Sequence, residues 1–184
     1  MALYKEMKTS LENIVLKKKI DGVDDEFKER IMLAVTEVNG CEICSYVHTR
    51  IALEKGLSDE EIQMILGGNS EKIPEQEVVA IVFAQHYADT RGKPTQEAWN
   101  TLVATYGEQK SYYILGIIRM MMVGNIFGIP LSAFKNRIKG KPNKKSTIGY
   151  ELIMMALPIL FIPITLLHAL VSELLRIPSI TFSE

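Results

Sequence analysis

The sequence predicts an all-α protein, and three observations carry that prediction. Apolar residues recur at three- and four-residue intervals in successive blocks, glycine- and proline-bearing breaks divide the blocks, and no bounded run alternates β-branched with polar residues. A length of 184 residues accommodates one domain with a substantial core and an appendage. Apolar residues make up 47% of the chain, slightly above the ordinary globular share, which points to a buried interface or a membrane-seeking stretch. The net charge of −1 supplies no field for nucleic acid. No phosphate-cradling glycine loop, dinucleotide fingerprint or basic-aromatic pattern occurs.

The elements follow in order. From Phe27, the residues Ile31, Ala34, Val35 and Val38 recur at helical spacing, with Asp24 or Asp25 as N-cap. Asn39–Gly40 breaks that run, because glycine adopts turn geometry that other residues avoid. A second helix starts around Cys41 and ends at Gly56. Ser58 and Glu61 have capping-box spacing and open a third, which stops near Gly67–Gly68. Pro74 is a first-turn proline for a fourth helix from Glu75 to Asp89. After the break at Gly92 to Pro94, Thr95 begins a helix through Tyr106. Beyond Gly107 a long apolar helix runs from about Glu108 to Asn125, followed by a short one from Leu131 to Ile138. Met1 to Lys19 lacks the apolar core of a secretory signal and is read as structure.

Composition then shifts. Lys135, Arg137, Lys139, Lys141, Lys144 and Lys145 fall in a stretch without an acid, interrupted by Gly140 and Pro142. The expected organisation is a helical domain over 1–138, a basic linker over 139–151 and an apolar tail helix over 152–175. Leu152 to Val171 is long enough to cross a bilayer core and carries no formal charge with His168 neutral. The basic linker fits the cytoplasmic side of such a span. The competing expectation is a tail packed across a neighbouring subunit, and Pro158 and Pro163 weigh against a regular span.

The only two cysteines form Cys41–Glu42–Ile43–Cys44, with His48 one turn further on. Residues three and four apart share a helix face, so Cys41, Cys44 and His48 lie in one stripe. The first turn of a helix offers unpaired N–H groups and the positive end of the macrodipole, both of which favour a thiolate. His48 is placed to take and return a proton, and the second sulfur is placed to resolve an oxidised first one. Two cysteines so close, with no others in the chain, suit a redox pair in a reducing compartment rather than a secreted scaffold. The same residues also allow a zinc site with three protein ligands, or two small core residues.

The segment Glu29–Arg–Ile–Met–Leu–Ala–Val–Thr–Glu–Val–Asn–Gly–Cys–Glu–Ile–Cys–Ser–Tyr–Val–His48 resembles the core motif of the alkylhydroperoxidase AhpD-like family, within the carboxymuconolactone decarboxylase-like superfamily. The following Ala52–Leu–Glu–Lys–Gly–Leu–Ser–Asp–Glu–Glu–Ile62 is similar to the helix–turn–helix after that motif. The close resemblance covers roughly Phe27 to Gly68, with a looser one to about Ile138. It implies an all-α bundle that assembles as a trimer or hexamer. It implies that Cys44 attacks a hydroperoxide or disulfide, that Cys41 resolves it, and that His48 and Glu29 relay protons. Glu29 stands twelve residues before Cys41, where the family has its glutamate. Ile43 stands where the better-known member has a histidine, so one polar element of the relay is missing. The superfamily's true decarboxylases lack this dithiol. No organic cofactor is implied, and re-reduction would come from a thioredoxin-like or lipoyl-bearing partner. The expected enzyme is a thiol-dependent peroxidase or thiol–disulfide oxidoreductase on the cytoplasmic side; the alternative is a dithiol redox sensor or interaction module without turnover.

Other residues are weaker candidates. Glu37 is nearer Cys41 in sequence than Glu29 but lies on the side of Arg30. His86 reads as a packed or solvent-edge histidine, Trp99, Tyr112 and Tyr113 as core or interface, and Met120 to Met122 as buried packing. Arg119, inside an apolar helix, calls for a buried carboxylate or a pocket.

Overall fold

The structure, a computed structural model, describes residues 21–69, 71–175 and 180–183, excepting the side chains of 172 and 173. The expectation for Met1 to Lys19 lies outside the described residues. The described residues are all-helical, with seven helices and no strand. They are α1 (Asp25–Asn39), α2 (Glu42–Lys55), α3 (Asp59–Leu66), α4 (Glu75–Asp89), α5 (Gln96–Tyr106), α6 (Glu108–Ile138) and α7 (Ile148–Leu174).

Helix α1 is the centre of the bundle. Asp24 caps it, accepting from the backbone N–H of Phe27 at 2.8 Å. It packs against α2, α3, α4 and α6, and every residue from Glu29 to Thr36 is buried. A helix enclosed on all sides carries its charged residues inside with it, which is how Glu29 and Arg30 come to lie in the interior. Gly40 ends α1 at φ 64°, donating to the carbonyls of Thr36 and Glu37. That left-handed residue turns the chain sharply enough for α2 to begin two residues later.

Burying Arg30 requires compensation. Its Nε donates to Glu61 at 2.6 Å, and its guanidinium also donates to Glu77 at 3.1 Å. The capping-box expectation is therefore half met. Ser58 accepts from the Glu61 N–H, but the Glu61 carboxylate is drawn to Arg30, because a buried cation outcompetes a neutral backbone donor. Burial pushes the Glu77 carboxyl above its usual range despite Arg30 beside it. A carboxyl raised in the folded state favours folding when protonated, so its contribution is fully present below the unfolded pKa and falls as pH rises through the folded one. Glu77→Gln is accordingly expected to flatten the pH dependence of the urea midpoint between mildly acidic and neutral pH. An unchanged profile would show that Arg30 alone neutralises the site.

Pro74 stands at the N-cap of α4, and Thr95 caps α5 by accepting from Ala98 N–H at 3.2 Å. Phe83, Trp99 and Tyr112 stack across α4, α5 and α6, with Phe83–Trp99 and Trp99–Tyr112 centroids 6.0 and 5.0 Å apart. Arg119 is fully buried, and its Nε donates to the Tyr87 hydroxyl at 2.9 Å. Met121 and Met122 are buried, but Met120 is exposed and departs from the expectation for the trio.

Two expected helices are one. α6 runs for 31 residues straight through Pro130. Proline removes one backbone hydrogen bond and crowds the preceding turn. The stretch after it stays helical because other elements hold it: Ser132 and Asn136 bond α2, and Arg137 bonds α7. The chain after α6 is irregular only to Thr147. α7 then continues through Pro158 and Pro163 and packs on α6. Its Glu151 is fully buried, held by Arg137 at 2.8 and 2.9 Å and by the Ser146 hydroxyl. At the C-terminus Ile180 joins the core, and Ser183 N–H donates to the Pro94 carbonyl at 3.0 Å.

Candidate functional site

Cys41 is the N-cap of α2 and Cys44 lies in its first turn, so the sharp exit from α1 at Gly40 fixes where the sulfurs stand. The Cys41 sulfur accepts from the Cys44 backbone N–H at 3.4 Å, the capping bond that an oxygen makes elsewhere. The two sulfurs are joined as a disulfide, with Cα atoms 5.3 Å apart. Both cysteines are buried, Cys44 at 8% exposure against 1% for Cys41. A shallow pocket opens beside Cys41, lined by Thr36, Glu37, Gly40, Glu42, Ser45 and Leu66.

His48 stands one turn beyond Cys44, and its Nδ1 lies 2.8 Å from Oε2 of the buried Glu29. Adjacent packing of α1 and α2 brings these residues together across nineteen positions of sequence. The alternative carboxylate, Glu37, lies in the pocket at Cys41 instead. His86 is remote from this arrangement. Its Nε2 accepts from Thr95 N–H at 3.1 Å, and it lines a groove of about 430 Å³ between α4 and α5.

The other wall of the dithiol comes from α6, which contributes no residue to the site expected from the sequence. The Gly124 carbonyl is 3.8 Å from Cys44 Sγ, and the Ser132 hydroxyl accepts from Ile43 N–H at 3.2 Å. Asn136 donates to the Glu42 carboxylate at 3.3 Å. Gly128 lies so close that an added Cβ would come 2.6 Å from Cys41 Sγ, nearer still to Cys44 Sγ, and 3.1 Å from Ile43 Cγ2. The signal for this contact was in the sequence: two glycines four apart in a long apolar helix, each costing helix stability of about 1 kcal/mol, mark a face that something approaches closely. Gly128→Val is expected to lower stability by about 1–3 kcal/mol through overpacking. It should also slow closure of the disulfide after reduction, read by thiol alkylation with time. Wild-type stability and closure in that variant would mean that α6 does not press on the sulfurs.

The described residues are all-helical, with a Cys-x-x-Cys disulfide at a helix mouth and, one turn on, a partly buried histidine paired with a buried glutamate. Residues 4–70 match the model of the carboxymuconolactone decarboxylase family, which includes the AhpD-like proteins, so this part of the chain is similar to that family. The match contains Glu29, Cys41, Cys44 and His48. It begins well before Phe27 and ends beside Gly68; α4 to α7 lie beyond it. No curated protein and no solved structure matches the chain.

Proposed function

We propose that the protein is a thiol-dependent peroxidase or thiol–disulfide oxidoreductase of AhpD-like type. The observation that carries this reading is the 2.8 Å contact between Glu29 and His48, one turn from a dithiol on the same helix. An ionised Glu29 accepts from Nδ1–H, which fixes the histidine tautomer and leaves Nε2 as the basic nitrogen. Nε2 takes the proton of the Cys44 thiol. The thiolate attacks the terminal oxygen of a hydroperoxide; the O–O bond breaks, and the alkoxide leaves as an alcohol with a proton returned from His48. Cys44 is then a sulfenic acid. Cys41 attacks its sulfur, releasing water and closing the disulfide. A dithiol reductant supplies two electrons and two protons to reopen it, so one hydroperoxide and one reductant dithiol become alcohol, water and reductant disulfide.

A thioredoxin-like or lipoyl-bearing protein fits the reductant role, assembly as a trimer or hexamer fits the family, and the cytoplasm fits a dithiol that must be re-reduced. The test is steady-state consumption of tert-butyl hydroperoxide by the full chain with a small dithiol as reductant. Turnover supports the enzyme. A protein that changes its assembly on oxidation but consumes no hydroperoxide is a redox sensor instead, a reading that Ile43 in the family's histidine position favours.

A further inference from the structure

Among the described residues, two helices are long and apolar enough to cross a membrane by length and composition, and they differ in what surrounds them. The apolar window of α6 is 61% buried, so the core of the bundle accounts for it. That of α7 is 11% buried. In α7, Glu151, Pro158, Thr165 and Ala169 form a narrow buried stripe, and exposed aliphatic residues occupy the rest of the circumference, among them Ile153, Ile159, Ile164, Leu167 and Leu170. A second protein surface covers one face of a helix; an apolar surface reaching most of the way round is matched by lipid. The one acid of the first turn, Glu151, is buried and paired with Arg137, so it does not oppose entry into an apolar phase. Just before α7, Lys135, Lys139, Lys141, Lys144 and Lys145 are all exposed, a concentration of positive charge suited to anionic headgroups.

The dithiol is built on this same end of α6. Ile43, between the two cysteines, is bonded to Ser132, and Glu42 to Asn136, next to the Arg137 that holds α7. A groove beside Ile43 is lined by the exposed Tyr46 together with Glu42, Ser132, Lys135 and Lys139, an aromatic and two lysines of the kind that sit at headgroup level. We infer that α7 beds in an anionic bilayer and holds the dithiol at its surface, where the substrate is a hydroperoxide carried on a lipid acyl chain. This rests on the thiol-peroxidase reading and names its substrate class. The balance is that given above: the lipid hydroperoxide becomes a lipid alcohol and water, and a soluble dithiol is oxidised.

The test uses the full chain and two vesicle preparations, phosphatidylcholine alone and phosphatidylcholine with phosphatidylglycerol, each carrying phospholipid hydroperoxide, with tert-butyl hydroperoxide as the soluble comparison. The expected result is cosedimentation with the anionic vesicles and reduction of the lipid hydroperoxide in them. The double variant Ile159→Asp/Leu167→Asp, changed only at exposed positions of α7, should lose vesicle binding and at least about tenfold in lipid-hydroperoxide reduction, since charge is costly in the apolar phase. Its reduction of tert-butyl hydroperoxide should stay within about twofold, because α7 takes no part in the proton relay. Lys141→Glu/Lys144→Glu/Lys145→Glu should remove the preference for anionic vesicles. The inference is overturned if the wild type ignores vesicles and the α7 variant only dissociates an oligomer, which makes α7 a subunit interface. Equal loss on both hydroperoxides in the α7 variant also overturns it. A wild type that binds vesicles but reduces neither hydroperoxide sinks the peroxidase reading, while leaving the bilayer contact standing.

Discussion

Cys44→Ser loses hydroperoxide turnover to the background of the reductant alone, a fall of at least about a thousandfold for a nucleophile with no substitute. The substitution is nearly isosteric and the buried site accepts a hydroxyl close to the Gly124 carbonyl, so folding is expected to survive. The informative comparison is Cys41→Ser. Cys41 is the sulfur that caps α2 and accepts the Cys44 N–H, so the helix terminus favours its thiolate. Cys44 has the histidine one turn away and the greater exposure. If Cys44 is the attacking sulfur, Cys41→Ser still consumes one equivalent of hydroperoxide and accumulates a sulfenic acid, trapped by dimedone and seen as a mass increase. Cys44→Ser then consumes none. The reverse pattern would assign attack to the capping sulfur and resolution to Cys44. Stoichiometric consumption in both variants would mean that neither sulfur is specialised.

How much of this was legible before the coordinates depended on range. Helix boundaries set by local chemistry read correctly, as at Asp24, Gly40, Gly56 and Thr95, because a cap is a contact among residues two to four apart. The break expected after Asn125 does not occur, for the converse reason. Pro130 argues locally for an end, but Ser132, Asn136 and Arg137 bond partners that are near only in the folded chain, and those bonds carry the helix on to Ile138. The single stripe of Cys41, Cys44 and His48 was visible from spacing. Glu29 is legible only through the resemblance, since an interior helix has no polar face by which periodicity could assign it. The α6 wall of the dithiol is only faintly legible: glycine offers no side chain to announce a contact, only an unexplained cost in helix propensity.

Glu29→Gln and His48→Ala test whether the carboxylate acts through the imidazole. Glutamine fills the same volume and can still accept from Nδ1–H, so the fold should change little, but the negative charge that favours a protonated ring during proton transfer is gone. His48→Ala removes the base itself. Each is expected to lower turnover by roughly 10²–10⁴, the range supplied by a positioned acid–base group. The double variant should lose no more than the worse single one, because two residues acting as one relay fail together. A structural role for Glu29 would give a different signature: a lowered urea midpoint, an unshifted pH profile, and losses that multiply with those of His48→Ala. Glu29 is a positioning residue in this scheme, since it touches the ring and not the sulfur, so the decisive readout is the pH dependence of the Cys44 alkylation rate. In wild type the carboxylate orients the ring that takes the thiol proton; in Glu29→Gln that orientation is weakened, and the alkylation profile of Cys44 is expected to differ from that of wild type. An identical profile in the two proteins would separate the 2.8 Å contact from the chemistry of the thiol.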